Sequence, residues 1–170
     1  MKVCIMGQGY IGLPTAALFS RSHCEVVGVD ISEEMVNNLN KGIIHIEEPG
    51  IADIIKKSVR KNTYKASLTP EKADAFIITV PTPYIVENYS CDLSYVITAC
   101  KTIIPYLEKG NTVIIESTIA PMSTDDIIKP LFEEAGFTIG KDLYLAHCPE
   151  RVLPGRILEE LVHNDRIIGG

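Results

Sequence analysis

Short apolar runs alternate with longer amphipathic stretches along most of the chain, and the two patterns call for different elements. Residues 3–6, 25–29, 75–80, 112–115 and 143–146 are rich in β-favouring side chains without strict polar alternation, as in strands covered on both faces. Between them, residues 10–20, 32–40, 51–60, 92–107 and 123–135 carry apolar side chains at helical spacing. The alternation predicts an α/β protein: a Rossmann-type, doubly wound parallel sheet with right-handed crossovers, in a single domain over residues 1–170. A weaker strand at Tyr64–Leu68 completes the first βαβαβ half, and Asp165–Ile168 reads as one more short strand.

Local chemistry marks several boundaries. Ser123-Thr124-Asp125-Asp126 resembles a capping box with Asp in place of Glu, and Gly136 closes the same helix after Ala135. Lys109-Gly110-Asn111 turns the chain into the next strand, and Pro14 sits early enough in its helix to be tolerated.

Composition narrows the function classes. Sixteen basic against twenty-two acidic residues give a net charge of −6 with no block of like charge, which argues against a nucleic-acid partner. Aromatic residues are too scattered for a base-stacking platform. The five cysteines are odd in number and form no C-x-x-C pair, so free thiols in the cytoplasm are expected. No apolar run reaches membrane-spanning length, so no membrane partner is expected. His23, His45 and His163 lack metal-ligand spacing, and no metal is expected.

The chemistry concentrates at predicted strand ends. Gly7-Gln8-Gly9-Tyr10-Ile11-Gly12 is a G-x-G-x-x-G motif directly after the first strand and opening the first helix. Gly7 permits the tight turn, Gly9 lets backbone approach a pyrophosphate, and Gly12 lets the helix press on the sheet. The helix N-terminus then offers N–H groups to the phosphates. Asp30 ends the second strand eighteen residues beyond Gly12, where a carboxylate accepts ribose hydroxyls and repels a 2′-phosphate, favouring NAD over NADP. Asp30 could instead cap the following helix, a task open to Ser32 as well.

Pro81 and Pro83 hold Thr82 extended after the third long strand, leaving its hydroxyl free for a cofactor, although proline also simply ends strands. Thr118, in Glu116-Ser117-Thr118, is a candidate contact on the nicotinamide side. In His147–Arg156 one carboxylate and two guanidinium groups interrupt an apolar stretch, as a site or as a solvated ion pair. His147 and Cys148 are neighbours in an extended segment and point to opposite faces, which argues against a thiolate dyad.

Together, Gly7–Pro14, Val29-Asp30, Glu48-Pro49-Gly50-Ile51, Val80–Pro83, Glu116–Thr118 and Pro149-Glu150 resemble the N-terminal domain of the UDP-glucose/GDP-mannose dehydrogenase family, over essentially the whole chain. Cys148–Arg156 followed by Glu160–Arg166 is most similar to the branch acting on UDP-N-acetylmannosamine. Pro154 stands where the UDP-glucose branch carries a second acidic residue, so the resemblance favours an N-acetylated amino sugar. UDP-glucose or UDP-N-acetylglucosamine as substrate, and a non-catalytic NAD-sensing module, are the alternatives.

The resemblance implies that Tyr10, Ile11, Asp30, Thr82 and Thr118 contact NAD, and that Arg151 and Val152 touch the UDP-sugar. It implies oxidation of a C6 alcohol to the carboxylate in two hydride transfers through a thiol-bound intermediate, supplying surface polysaccharide. In that scheme Glu150 is an acid–base group and Thr118 also places water. The family's nucleophilic cysteine and lysine lie in a later domain that this chain lacks, and the five cysteines here do not match that motif. The chain is therefore expected to bind NAD without completing the oxidation alone. Family members are homo-oligomers through a later helix, so a monomer is expected here.

Overall fold

A computed structural model describes residues 1–87 and 89–170. Its strands are β1 (Lys2–Met6), β2 (Glu25–Val29), β3 (Tyr64–Ser67), β4 (Ala75–Ile78), β5 (Tyr84–Ile85), β6 (Ser90–Cys91), β7 (Asn111–Ile115) and β8 (Leu143–His147). The helices are α1 (Gly12–Arg21), α2 (Glu33–Asn40), α3 (Ile51–Arg60), α4 (Ser94–Ile103), α5 (Lys129–Glu134) and α6 (Ile157–His163). Six strands form one parallel sheet in the order β3-β2-β1-β4-β7-β8, while β5 and β6 pair as a small antiparallel hairpin. The winding direction reverses between β1 and β4, where Val3 faces Ala75 and Met6 faces Ile78, and this opens a crevice at the strands' carboxyl ends.

Strand alternation divides the core between the two faces of the sheet. Val3 and Ile5 join Leu13, Ala16, Leu39 and Ile55 on one side, whereas Cys4 and Met6 join Phe76, Val96, Ile103 and Phe132 on the other. Ala16 and Ala17 are fully buried, so α1 lies close against the sheet and brings its N-terminus to the crevice. Pro14 is accommodated at the third position of α1.

Three expectations are corrected. Ser123 does not cap a helix: it is buried, already helical at φ −58° and ψ −31°, and its side chain makes no capping bond. Pro130 explains this. Its ring has no N–H and crowds the carbonyl four residues earlier, and a π-helical turn at Thr124–Ile128 absorbs the mismatch before α5 begins. Gly136, at φ +93°, does end the helix.

Asp165–Ile168 is not a strand. Ile167 and Ile168 are 70% and 69% exposed, and just beyond them Gly169 makes an antiparallel bridge to His147, the last residue of β8. Finally, the helix expected over 92–107 narrows to α4 plus a 3₁₀ turn at Ile104–Tyr106, because Pro105 cannot donate the next helical bond. Helix α6 and the β5–β6 hairpin are too short to show a period in sequence.

No helix among the described residues is long and apolar enough to cross a membrane.

Candidate functional site

The first wall of the crevice is the loop from β1 into α1. Gly7 takes φ +93°, and a Cβ there would lie 2.9 Å from the Thr79 carbonyl oxygen. A Cβ on Gly12 would lie 1.9 Å from the Gly7 carbonyl oxygen, so the helix start is pressed directly against the turn. Above Gly9 the space is open, with no atom within 4 Å of a Cβ position. Helix α1 has neither a side-chain cap nor an acidic residue in its first turn, which leaves its positive end available to an anion.

Gln8 holds this loop from beneath. Its buried Nε2 donates to the carbonyls of Ile5 (3.1 Å) and Gly7 (2.9 Å), and its Oε1 accepts from the Tyr64 hydroxyl at 3.0 Å. The Gly28 position makes the room, since a Cβ there would come within 2.3 Å of Gln8 Oε1. Asp30, at the end of β2, accepts from the Gln8 N–H at 2.9 Å and from the Ser32 N–H at 3.0 Å. A carboxylate has about four acceptor sites, so two remain for other donors. Capping of α2 falls to Ser32, whose Oγ accepts from the Met35 N–H at 3.2 Å.

The opposite wall gathers three strand ends. Beyond β4, Thr79 Oγ1 lies 2.9 Å from the carbonyl oxygens of both Met6 and Gly7. Ladder pairing stops at Ile78, whose carbonyl receives the N–H groups of both Glu116 and Ser117. Ser117 Oγ donates to the Val80 carbonyl at 2.7 Å and so fixes the β7 end against the Val80–Pro83 segment.

At the floor, the Glu116 side chain is only 4% exposed. Its Oε2 accepts from the Thr15 hydroxyl of α1 at 3.2 Å, and its Oε1 is 2.5 Å from Arg166 Nη2. Burial raises the Glu116 carboxyl above its ordinary pKa, and the Arg166 guanidinium opposes that rise. Against the cost of burying it, the carboxylates hold Arg166 firmly charged. Glu150, just past β8, accepts from the Arg151 N–H at 2.6 Å through Oε1 and pairs with Arg166 Nη2 at 2.8 Å through Oε2.

One cavity of about 470 Å³ spans both walls, and Gly7, Gly9, Tyr10, Ile11, Asp30, Thr82, Thr118, Glu150 and Val152 all line it. Gly12 lies beneath the loop, and Arg151 opens onto a separate hollow with Asn164 and Asp165. The sequence reading missed Gln8, Thr79 and Arg166 as parts of this site. Gln8 was a variable position of the motif, and Arg166 was legible only within the family-like segment.

The cavity fits a dinucleotide: an open, unshielded helix end for a diphosphate lies beside a carboxylate with acceptor sites to spare for ribose hydroxyls. Burial pushes the Cys4 thiol up to about 11 and the Cys100 thiol up to about 12, so neither is a nucleophile near neutral pH. No group of three potential metal ligands occurs among the described residues.

The sequence matches the UDP-glucose/GDP-mannose dehydrogenase family, NAD binding domain, over residues 1–170. It is 50% identical to a UDP-N-acetyl-D-mannosamine dehydrogenase of Methanococcus maripaludis, an alignment covering 99% of this chain and 38% of that protein. The structure resembles the UDP-N-acetyl-mannosamine dehydrogenase Cap5O from Staphylococcus aureus, with a TM-score of 0.97 and 53% identity over 100% of this chain and 42% of that one. A UDP-D-ManNAc dehydrogenase from Pyrococcus horikoshii gives a TM-score of 0.93 and 42% identity over 100% of this chain and 41% of that one. The chain thus spans about two fifths of the length of these relatives. With the glycine loop, Asp30 and the carboxylate floor in one crevice, the chain belongs to the UDP-glucose/GDP-mannose dehydrogenase family, as its NAD-binding domain.

Proposed function

We propose that the chain is the NAD-binding domain, a single domain over residues 1–170, of an enzyme oxidising the C6 alcohol of UDP-N-acetylmannosamine to the carboxylate. The product would supply a uronic acid sugar for surface polysaccharide, in the cytoplasm, where five free thiols stay reduced. One observation carries the reading: a single cavity brings the glycine loop and Asp30 together with Thr82, Thr118, Glu150 and Val152. The choice of sugar rests on the names of the relatives above and on Pro154, which replaces the second acidic residue of the UDP-glucose branch.

When bound, NAD supplies the hydride acceptor. The bare backbone at Gly9 and the N-terminus of α1 cup its diphosphate, and the two free acceptor sites of Asp30 take ribose hydroxyls while repelling a 2′-phosphate. Tyr10 and Ile11 line the cavity beside the loop, and Thr82 and Thr118, which line it beyond the ends of β4 and β7, would hold the nicotinamide half. Glu150 holds or releases a proton at its carboxyl, Thr118 orients water, and Arg151 and Val152 steady the UDP-sugar. None of the five cysteines lines the cavity, so this chain by itself takes up NAD without completing the oxidation.

Calorimetry of the chain with NAD and NADP tests the cofactor half: NAD binds, and NADP binds at least tenfold more weakly. No uptake of NAD, or equal affinities, overturns it. Assay of the longer enzyme with UDP-N-acetylmannosamine, UDP-N-acetylglucosamine and UDP-glucose tests the substrate, and faster turnover of either of the last two overturns that part.

A further inference from the structure

Among the described residues, Arg166 is the only cation paired with either floor carboxylate. It comes from the irregular tail beyond α6, and a single nitrogen, Nη2, faces Glu116 Oε1 at 2.5 Å, Glu150 Oε2 at 2.8 Å and the Cys148 carbonyl oxygen at 3.5 Å. Two carboxylates therefore share one positive charge.

They are not equivalent. Glu116 takes the shorter contact and is also fixed by Thr15. The Glu150 side chain is 7% exposed and lines the cavity, yet its buried Oε2 receives charge from Arg166 without an aligned hydrogen bond. Its Oε1 is occupied by the Arg151 N–H. A buried acceptor lacking an aligned donor is costly, and it persists only where the surroundings hold it.

We infer that Arg166 is a positioning residue: by dividing one guanidinium nitrogen between Glu116 and Glu150, it fixes the orientation of the Glu150 carboxyl at the wall of the NAD cavity while leaving Oε2 without an aligned hydrogen bond. Glu116 acts through Arg166 as the competing anchor that prevents the guanidinium from closing fully onto Glu150. The inference rests on the acid–base reading of Glu150. The other polar groups near the floor are the Thr15 hydroxyl from α1, Cys148 after β8, and His147, whose Nε2 lies 3.3 Å from the Ser117 carbonyl oxygen. None of these supplies a second permanent positive charge to offset the carboxylates.

The test is nitrogen-15 NMR of this chain, using the Arg151 amide as the reporter of Glu150 orientation. Arg166→Gln should move that resonance, and Arg166→Lys, which restores a positive nitrogen, should bring it back toward the wild-type position. Glu116→Gln should also move it, although no bond joins Glu116 to Arg151, and the same substitution should have no effect on it in an Arg166→Gln background. An unmoved Arg151 amide in Glu116→Gln, or equal effects from Arg166→Lys and Arg166→Gln, overturns the inference. If Arg166→Gln gives no folded spectrum, Glu116→Gln alone decides. The acid–base reading fails separately, if Glu150→Gln in the longer enzyme leaves kcat and its pH profile unchanged.

Discussion

The glycine-loop end of the cavity draws its parts from residues 7–35, whereas the carboxylate end collects Glu116, Glu150 and Arg166 from three separate segments. The first end works through backbone: close approaches at Gly7 and Gly12, a buried Gln8, and the two N–H groups received by Asp30. The second works through side-chain charge, with one guanidinium serving two carboxylates across fifty residues of sequence. A backbone device tolerates almost no added volume, while a charge-sharing device tolerates isosteric change but responds to pH. The contrast predicts different failures at the two ends.

The largest effect is expected at Gly12. Any Cβ there meets the Gly7 carbonyl oxygen 1.9 Å away and Thr79 Oγ1 at 2.5 Å, and the nearer of the two is backbone that cannot rotate aside. Gly12→Ala should abolish detectable NAD binding and cost about 1–3 kcal/mol or more of stability, as overpacking does. Calorimetry and urea denaturation check this, and a variant with wild-type affinity would mean that the loop is not rigid.

Asp30→Ala comes next. It removes the acceptor for ribose hydroxyls and leaves the Gln8 and Ser32 N–H groups without a partner. NAD affinity should fall by about 1–3 kcal/mol, the range of a charge-assisted hydrogen bond, and discrimination against NADP should relax. Equal calorimetric affinities for variant and wild type would remove the ribose assignment.

A smaller loss is expected from Tyr64→Phe, which takes only the hydroxyl from Gln8 Oε1 and leaves the ring in the core. The buried acceptor left behind should cost about 1–2 kcal/mol in urea denaturation. If the glycine loop is a single backbone device, NAD affinity should weaken with it. An unchanged affinity would show that Gln8 stabilises the sheet without holding the loop.

This division also explains what could be read in advance. The loop end was legible because its parts are local: β1, α1 and β2 form one βαβ unit over residues 2–29, with β2 over the expected residues, and Gly7–Gly12 and Asp30 follow its two strands directly. Within it, the side chain of Gln8 escaped notice because the space it fills is created by Gly28 and Tyr64, from two other strands. At the far end Thr118 follows from its place after a strand, and Glu150 and Val152 from family-like motifs; all three line the cavity, but Arg151 opens onto a separate hollow. Arg166 sat in a stretch read as a strand, because the apolar Ile167 and Ile168 beside it suggested a β-run. The fold instead leaves both isoleucines exposed while Arg166 turns inward to Glu116, a partner that no local pattern announces. Similarly, the Ser123 cap was inferred from four residues, when the deciding residue was Pro130, seven further on.

The subtlest prediction concerns pH, and it separates the two ends most directly. The Glu116 carboxyl has a folded-state pKa raised above its ordinary value of 4.5, because burial outweighs the help of Arg166. The folded chain therefore holds that proton to higher pH than the unfolded chain does. The stabilisation linked to it is complete below the unfolded pKa and is lost as pH rises through the folded pKa. Measured by urea denaturation, wild type should lose stability relative to Glu116→Gln as pH increases above about 4.5, with a slope no steeper than the ~1.4 kcal/mol per pH unit set by one proton. A loop-end variant such as Tyr64→Phe, which alters no carboxylate, should show no such divergence from wild type over the same range. A relative slope of opposite sign would mean that Arg166 dominates the floor, with the Glu116–Arg166 contact acting as a net stabilising ion pair. That result would leave the backbone end as described but would replace a burial-dominated floor with one held together by charge.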